Sequence, residues 1–203
     1  MIRFINLVLS LLIAFILLIP ILLISILIFL KDKEYPLYFS SRIGKNNKIF
    51  LMPKFRTMRS NTPQEASHLL TNPDDYLLST GRFLRKYSLD EFPQIISIIK
   101  GDMAFVGPRP ALFNQHDLIS QRDLKEISQL KPGITGWAQV RGRNAISWEE
   151  KFKLDVEYAT KVKFWLDLKI VLLTVKKVLR SADIQSDKNL TMPKFTGNDT
   201  IRS

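Results

Sequence analysis

The chain has 203 residues, a formal net charge of +11, no cysteine and two histidines, His68 and His116. That length suits one modest globular domain plus an anchor. Without cysteine there are no disulfides, thiolate-held zinc or thiol nucleophiles, and two distant histidines argue against a His-rich metal centre; any metal must be held mainly by oxygen, which points to Mg²⁺ or Mn²⁺.

From Phe4 to Leu30 no side chain is charged, and Asn6, Ser10 and Ser25 are the clearly polar ones. At about 1.5 Å per residue a helix over this run reaches roughly 40 Å, against a hydrocarbon core of about 30 Å. One tilted transmembrane helix fits. A signal peptide fits poorly, because the run is too long and no small-residue cleavage site follows. Pro20 opens a second reading. It lacks an N–H and clashes with the carbonyl four residues earlier, so a kink there would turn the helix back to the face it entered. Arg3 at one end and Lys31 and Lys33 at the other suit two cytoplasmic ends. The first thirty residues hold one of the charges, Arg3, so the remainder carries +10. So basic a remainder expects an anionic partner and a cytoplasmic location. Residues 1–31 are therefore read as a membrane-anchoring helix and 32–203 as a cytoplasmic domain.

Residues 36–58 predict two short antiparallel strands joined at Gly44-Lys45-Asn46-Asn47. Residues 59–76 predict a polar surface loop with a little helix. A short helix is expected over 82–87, carrying Arg85, and another over 89–100, ending at Gly101. Gly and Pro over 101–111 and 131–143 predict long loops. Ser147-Trp148-Glu149-Glu150 is a capping box, and the helix it starts places Trp148, Phe152, Val156 and Ala159 on one stripe. Trp165 to Leu179 predicts a second helix, apolar on one side, with Lys169, Lys176, Lys177 and Arg180. Such basic amphipathic helices lie in membrane interfaces; their apolar faces equally suit an ordinary core. The fold class is mixed α/β, helix-dominated, with one small antiparallel sheet.

The chemistry centres on Asp90 and Glu91. Ser88 with Glu91 spells a capping box, which puts both carboxylates near a helix start, where anions are stabilised and stay ionised. Successive helical residues point about 100° apart, so the two would divide roles instead of sharing a proton. An ionised Asp can attack phosphorus, with a metal on the neighbouring carboxylate reducing repulsion from an anionic diphosphate. First-turn acids also commonly do no more than meet the helix dipole. Lys54-Phe55-Arg56-Thr57-Met58-Arg59, Gly107-Pro108-Arg109-Pro110 and the Arg141-Gly142-Arg143 turn each read blandly alone, as a solvated strand face, a rigid turn and a basic loop. Together they point to a phosphate site, because bidentate Arg suits diphosphates.

These residues carry a resemblance. Lys54 to Met58, Ser88-Leu89-Asp90-Glu91 with Pro93-Gln94, Lys100 to Met103 through Val106 to Pro110, Lys131 to Val140, and Gly142-Arg143-Asn144 occur in order as in the bacterial sugar transferase family, the small monotopic phosphoglycosyl transferases. The tail Lys194-Phe195-Thr196-Gly197-Asn198 is similar to the minimal members that start N-glycan assembly. The resemblance implies transfer of a sugar-1-phosphate from a UDP-sugar to polyprenol (undecaprenyl) phosphate, with release of UMP, at the bacterial inner membrane. It implies Asp90 as the nucleophile of a phosphoglycosyl-aspartate and Glu91 as the holder of Mg²⁺. Arg109 and Arg143 become phosphate contacts, with Lys54, Arg56, Arg85 and Arg141 as further candidates. It also implies a re-entrant anchor broken near Pro20, although Ile19 stands where minimal members have Ser. Membrane lipid is an expected partner, nucleic acid is not, and a homo-oligomer remains open. A non-catalytic membrane scaffold is the alternative from another class.

Overall fold

The computed structural model describes residues 2–63, 73–142, 146–162 and 164–180. Arg143, His68 and the tail motif 194–198 lie outside them.

Helix α1 runs from Ile2 to Asp32 as one element with Pro20 inside it. It is long and apolar enough to cross a membrane. Its hydroxyls are satisfied on its own backbone: Ser10 Oγ donates to the Leu7 carbonyl and Ser25 Oγ to that of Ile21, each at 2.8 Å. That removes the cost of carrying them into an apolar phase. One side of α1 is pressed against the rest of the chain on both sides of Pro20. Ile13 and Ala14 pack on Phe50, Met52, Ile95, Ile98 and Met103. Ile21, Ile24 and the fully buried Ile28 pack with Phe55, Leu78 and Leu84. The other side leaves Leu12, Phe15, Ile16, Ile19, Leu23 and their neighbours exposed. At the end of the helix Asp32 accepts hydrogen bonds from Ser79 N, Ser79 Oγ and Thr80 Oγ1 at 2.9, 2.7 and 2.6 Å. These tie α1 to the turn that opens the next helix, at Gly81.

The expected hairpin forms. Strand β1 (Leu37–Ile43) pairs antiparallel with β2 (Ile49–Phe55), in register from Leu37↔Phe55 to Ile43↔Ile49. Asn46 and Asn47 take the positive φ angles of the connecting turn, which Asn tolerates better than most residues. Alternation places Tyr38, Ser40 and Arg42 on the same face as Phe50, Met52 and Lys54. Phe50 and Met52 are buried, and that packing brings Lys54 and Arg42 to the segment carrying Asp90.

Helix α2 spans Gly81–Lys86. A 3-10 helix, Leu89–Gln94, then runs into α3, Ile95–Lys100, which ends at Gly101 in the left-handed region (φ 88°) as expected. The two Gly/Pro stretches are not simple loops. They contribute β3 (Ala104–Val106) and β4 (Gly133–Thr135), which pair in parallel, and a short helix, Trp137–Arg141. Three-residue strands carry too little alternation to register as a pattern. The close approach is built into the glycines: a Cβ on Gly133 would lie 2.1 Å from the Gly107 nitrogen.

Helix α4 is His116–Leu124; with Trp137–Arg141 as α5, the last two are α6 (Trp148–Thr160) and α7 (Phe164–Arg180). The cap of α6 forms, Ser147 Oγ accepting from Glu150 N at 3.1 Å. Its buried line differs from the expected stripe. It passes through Asp155 and Tyr158, while Phe152, Val156 and Ala159 are half-buried. Polar pairing turns the helix: Tyr158 OH donates to Asp167 Oδ1 at 2.9 Å, and Asp155 pairs with Arg122. Helix α7 buries Ile170 and leaves Phe164, Trp165, Leu168, Leu172 and Val175 exposed. The fold is helix-dominated with a short antiparallel sheet, as expected, plus the small parallel pair.

Candidate active site

Ser88 sits in the left-handed region (φ 55°) and its carbonyl accepts from Glu91 N at 3.3 Å. The capping box expected at Ser88 and Glu91 does not form, since Ser88 makes no side-chain cap. Left-handed Ser88 and Pro93 produce a tight 3-10 turn, and the Glu91 carboxylate is drawn elsewhere. Its Oε1 accepts from Arg109 Nη2 at 2.8 Å. Glu91 is 13% exposed in its side chain and Arg109 47%, so the pair bridges the site interior and its open edge.

Asp90 is held differently. Burial, reinforced by the Glu91 charge, pushes its carboxyl up to about 6, against the opposing pull of Lys54, Arg85 and Arg109. The helix start does not lower it, since desolvation outweighs the effect of a short 3-10 turn. At neutral pH Asp90 is still mostly ionised, and it is more basic than a solvated Asp.

The cations show the opposite strain. Burial, then repulsion from Arg42 and Arg109, lowers Lys54 to about 8. Arg42 is lowered to about 10, by burial first and Arg109 second. Burial also lowers Arg85, whose Nε donates to Thr57 Oγ1 at 2.9 Å and whose charge interacts with Asp90. Lys151 on α6, above the Trp148 ring, is lowered to about 8 by burial and by Arg109. Arg109 itself is raised, chiefly by Glu91. Arg42, Lys54, Arg85 and Arg109 thus act on one or both carboxylates, and Lys151 lies within the field of Arg109. The excess positive charge in a desolvated place matches an anion of more than one charge.

Among the expected site residues, Asp90, Glu91, Lys54, Arg85 and Arg109 are brought together. Arg56 donates to the Tyr35 carbonyl at 2.9 Å and lies over the ring of Tyr38, the cross-strand partner of Lys54. Arg141 stacks on Trp137, 4.3 Å from the ring centroid. Sequence reading missed Arg42 and Lys151. Arg42 had a signal: counting back from Lys54 through the Asn-containing turn puts it on the same hairpin face.

No group of three or more His, Asp or Glu side chains suited to a metal occurs among the described residues. One carboxylate, that of Glu91, with phosphate oxygens and water does fit Mg²⁺, which keeps several waters and takes few protein ligands.

The bacterial sugar transferase family matches residues 1–181 of this chain. An uncharacterised sugar transferase of Bacillus subtilis is 46% identical over 170 residues, covering 83% of this chain and 82% of that one. The undecaprenyl-phosphate galactose phosphotransferase of Salmonella typhimurium is 34% identical over 165 residues, 74% of this chain and 34% of its own length. The UDP-glucose:undecaprenyl-phosphate glucose-1-phosphate transferase of Xanthomonas campestris is 37% identical over 158 residues, 71% of this chain and 32% of its own. The chain thus spans about a third of those two longer relatives.

Proposed function

The chain belongs to the bacterial sugar transferase family, and from that membership we propose that it moves a sugar-1-phosphate from a UDP-sugar to undecaprenyl phosphate, releasing UMP. The observation that carries this reading is Asp90, desolvated and basic, beside Glu91 and within the field of Lys54, Arg85 and Arg109. The names of the Salmonella and Xanthomonas relatives supply the acceptor, and the latter a UDP-linked donor.

In the first step an Asp90 carboxylate oxygen attacks the phosphorus that bears the sugar. A P–O bond forms to Asp90, the bond to the bridging oxygen breaks, and UMP departs with that oxygen and its electron pair. In the second step an oxygen of the acceptor phosphate attacks the same phosphorus and Asp90 leaves as carboxylate. Sugar and phosphate end on the polyprenol as a diphosphate. Arg109 and Lys54 offset the charge of the donor phosphates, and Arg85 that of Asp90. Glu91 would hold Mg²⁺, which when bound supplies charge neutralisation at the diphosphate.

The anchor fits the acceptor. Helix α1 presses on the domain through Ile13, Ala14 and Ile28, so the site is fixed relative to the lipid-facing side. The exposed apolar face of α7 adds a second surface for the interface. A re-entrant α1, with the domain on the cytoplasmic face of the inner membrane, is the topology this reading adopts. It is the topology that the family resemblance implies; α1 itself runs through Pro20 as one helix.

The test is UMP release by the full chain in nanodiscs with undecaprenyl phosphate, Mg²⁺ and a panel of UDP-sugars. Release with one or two donors, lost by about 10³-fold or more in Asp90→Asn, is expected. Near-normal release by Asp90→Asn would overturn the nucleophile.

A further inference from the structure

Arg109 reaches Glu91 from a loop, so the grip depends on how that loop's backbone is held. Four successive carbonyls are each taken by a donor. Pro108 O accepts from Gly133 N at 3.0 Å and Ala111 O from Ile43 N at 3.0 Å. Pro110 O accepts from Arg42 Nη1 at 3.3 Å. The carbonyl of Arg109 itself accepts from Arg122 Nη1 at 2.8 Å. Arg122 belongs to α4, and its Nη2 pairs with Asp155 Oδ2 of α6 at 3.1 Å. The two side chains are 14% and 6% exposed.

Burying such a pair costs desolvation that mutual attraction recovers only in part, and apolar residues of the same volume would stabilise as well or better. Arg122 also keeps a buried Nε without a protein acceptor among the described residues. Stability is therefore a poor account of the pair. Its geometry has a different use: α6 fixes Arg122 through Asp155, and Arg122 fixes the backbone of the residue that grips Glu91. The next turn of α6 toward its start carries Lys151, which feels Arg109 directly.

We propose that Arg122 and Asp155 are positioning residues, a buried ion pair that sets the Arg109 backbone so that its guanidinium meets Glu91 and the diphosphate of the donor. The proposal rests on the phosphoglycosyl transfer reading of this site. It assigns neither residue a contact with substrate. Loss of the pair should misplace Arg109, and a displacement of about 1 Å at a positioning group can cost about a hundredfold in rate.

The experiment is a double-mutant cycle on the full chain in nanodiscs: Arg122→Gln, Arg109→Gln and both together. Two quantities are read, kcat/KM for UMP release and the affinity for UDP by titration calorimetry. Arg122→Gln should lower both, the first by about tenfold to a hundredfold. In the Arg109→Gln background it should lower neither further. Effects that multiply in the double variant would overturn the proposal, since a merely structural role weakens both backgrounds alike. If Arg122→Gln does not fold, Asp155→Asn takes its place in the same cycle with the same two outcomes. UDP affinity is read without turnover, so a wild type that binds UDP but releases no UMP sinks the transfer reading while the cycle still decides this one. UDP binding that is absent, or indifferent to Arg109→Gln, would overturn it as well.

Discussion

Arg109 Nη2 lies 2.8 Å from Glu91 Oε1, and the adjacent Asp90 forms no ion pair among the described residues. The two carboxylates therefore differ in what holds them. Glu91 is fixed by a guanidinium. Asp90 is steadied by charge at longer range and keeps its basicity through burial. That asymmetry suits one fixed group beside the phosphates and one free to attack.

The acid limb of activity follows from Asp90. A nucleophile with a carboxyl near 6 is ionised above that pH and loses activity below it, so at pH 5 about a tenth of the plateau rate should remain. Lys54 is among the charges that lower this value. Lys54→Met should therefore move the limb to higher pH, where a pH–kcat series would locate it. An unmoved limb would mean that Lys54 does not act on Asp90.

Stability carries the same signature with a definite sign. The folded carboxyl of Asp90 is raised from 3.8 to about 6, so the folded state binds its proton more tightly than the unfolded one. The stability this confers is fully present below about 4 and is lost as pH rises through about 6. Asp90→Asn, which stays neutral, should then raise Tm by roughly 2–6 °C at pH 8 and by little at pH 4. Thermal unfolding at the two pH values checks this.

Asp32 ties the end of α1 to the turn that opens α2. Three donors from Ser79 and Thr80 converge on its carboxylate. Its side chain is partly exposed, so Asp32→Ala should destabilise by about 1–2 kcal/mol, less than the full worth of hydrogen bonds to a charged group. Denaturant unfolding measures the loss.

Much of this was legible in the sequence because it rested on strong local patterns. The apolar run of α1, the hairpin around Asn46-Asn47, the stop at Gly101 and the Ser147 cap all formed where composition placed them. Asp90 and Glu91 were found with Lys54, Arg85 and Arg109, though the fold alone shows that these five converge. What was missed depends on long-range pairing. β3 and β4 are three residues each and exist because Gly107 and Gly133 allow two backbones to touch. The buried line of α6 follows Asp155 and Tyr158, whose partners, Arg122 and Asp167, lie in other helices, so hydrophobic spacing pointed to another stripe. Arg56 and Arg141 were expected at the phosphates because of their charge; the fold sets each against an aromatic ring, Tyr38 and Trp137, which local sequence did not indicate. Glu91 was expected back at Ser88 by local spacing; an arginine far along the chain outcompetes that cap.

The central claim is a covalent bond between Asp90 and the transferred phosphate. The measurement is to incubate the full chain with Mg²⁺ and a UDP-sugar labelled in the sugar, without acceptor, and to follow label on the protein by intact mass and peptide mapping. The account predicts one phosphosugar on the peptide containing Asp90, UMP released in equal amount, discharge of the label on adding undecaprenyl phosphate, and no labelling of Asp90→Asn. Turnover with acceptor but no protein-bound label at any time, or label on a peptide without Asp90, would contradict it.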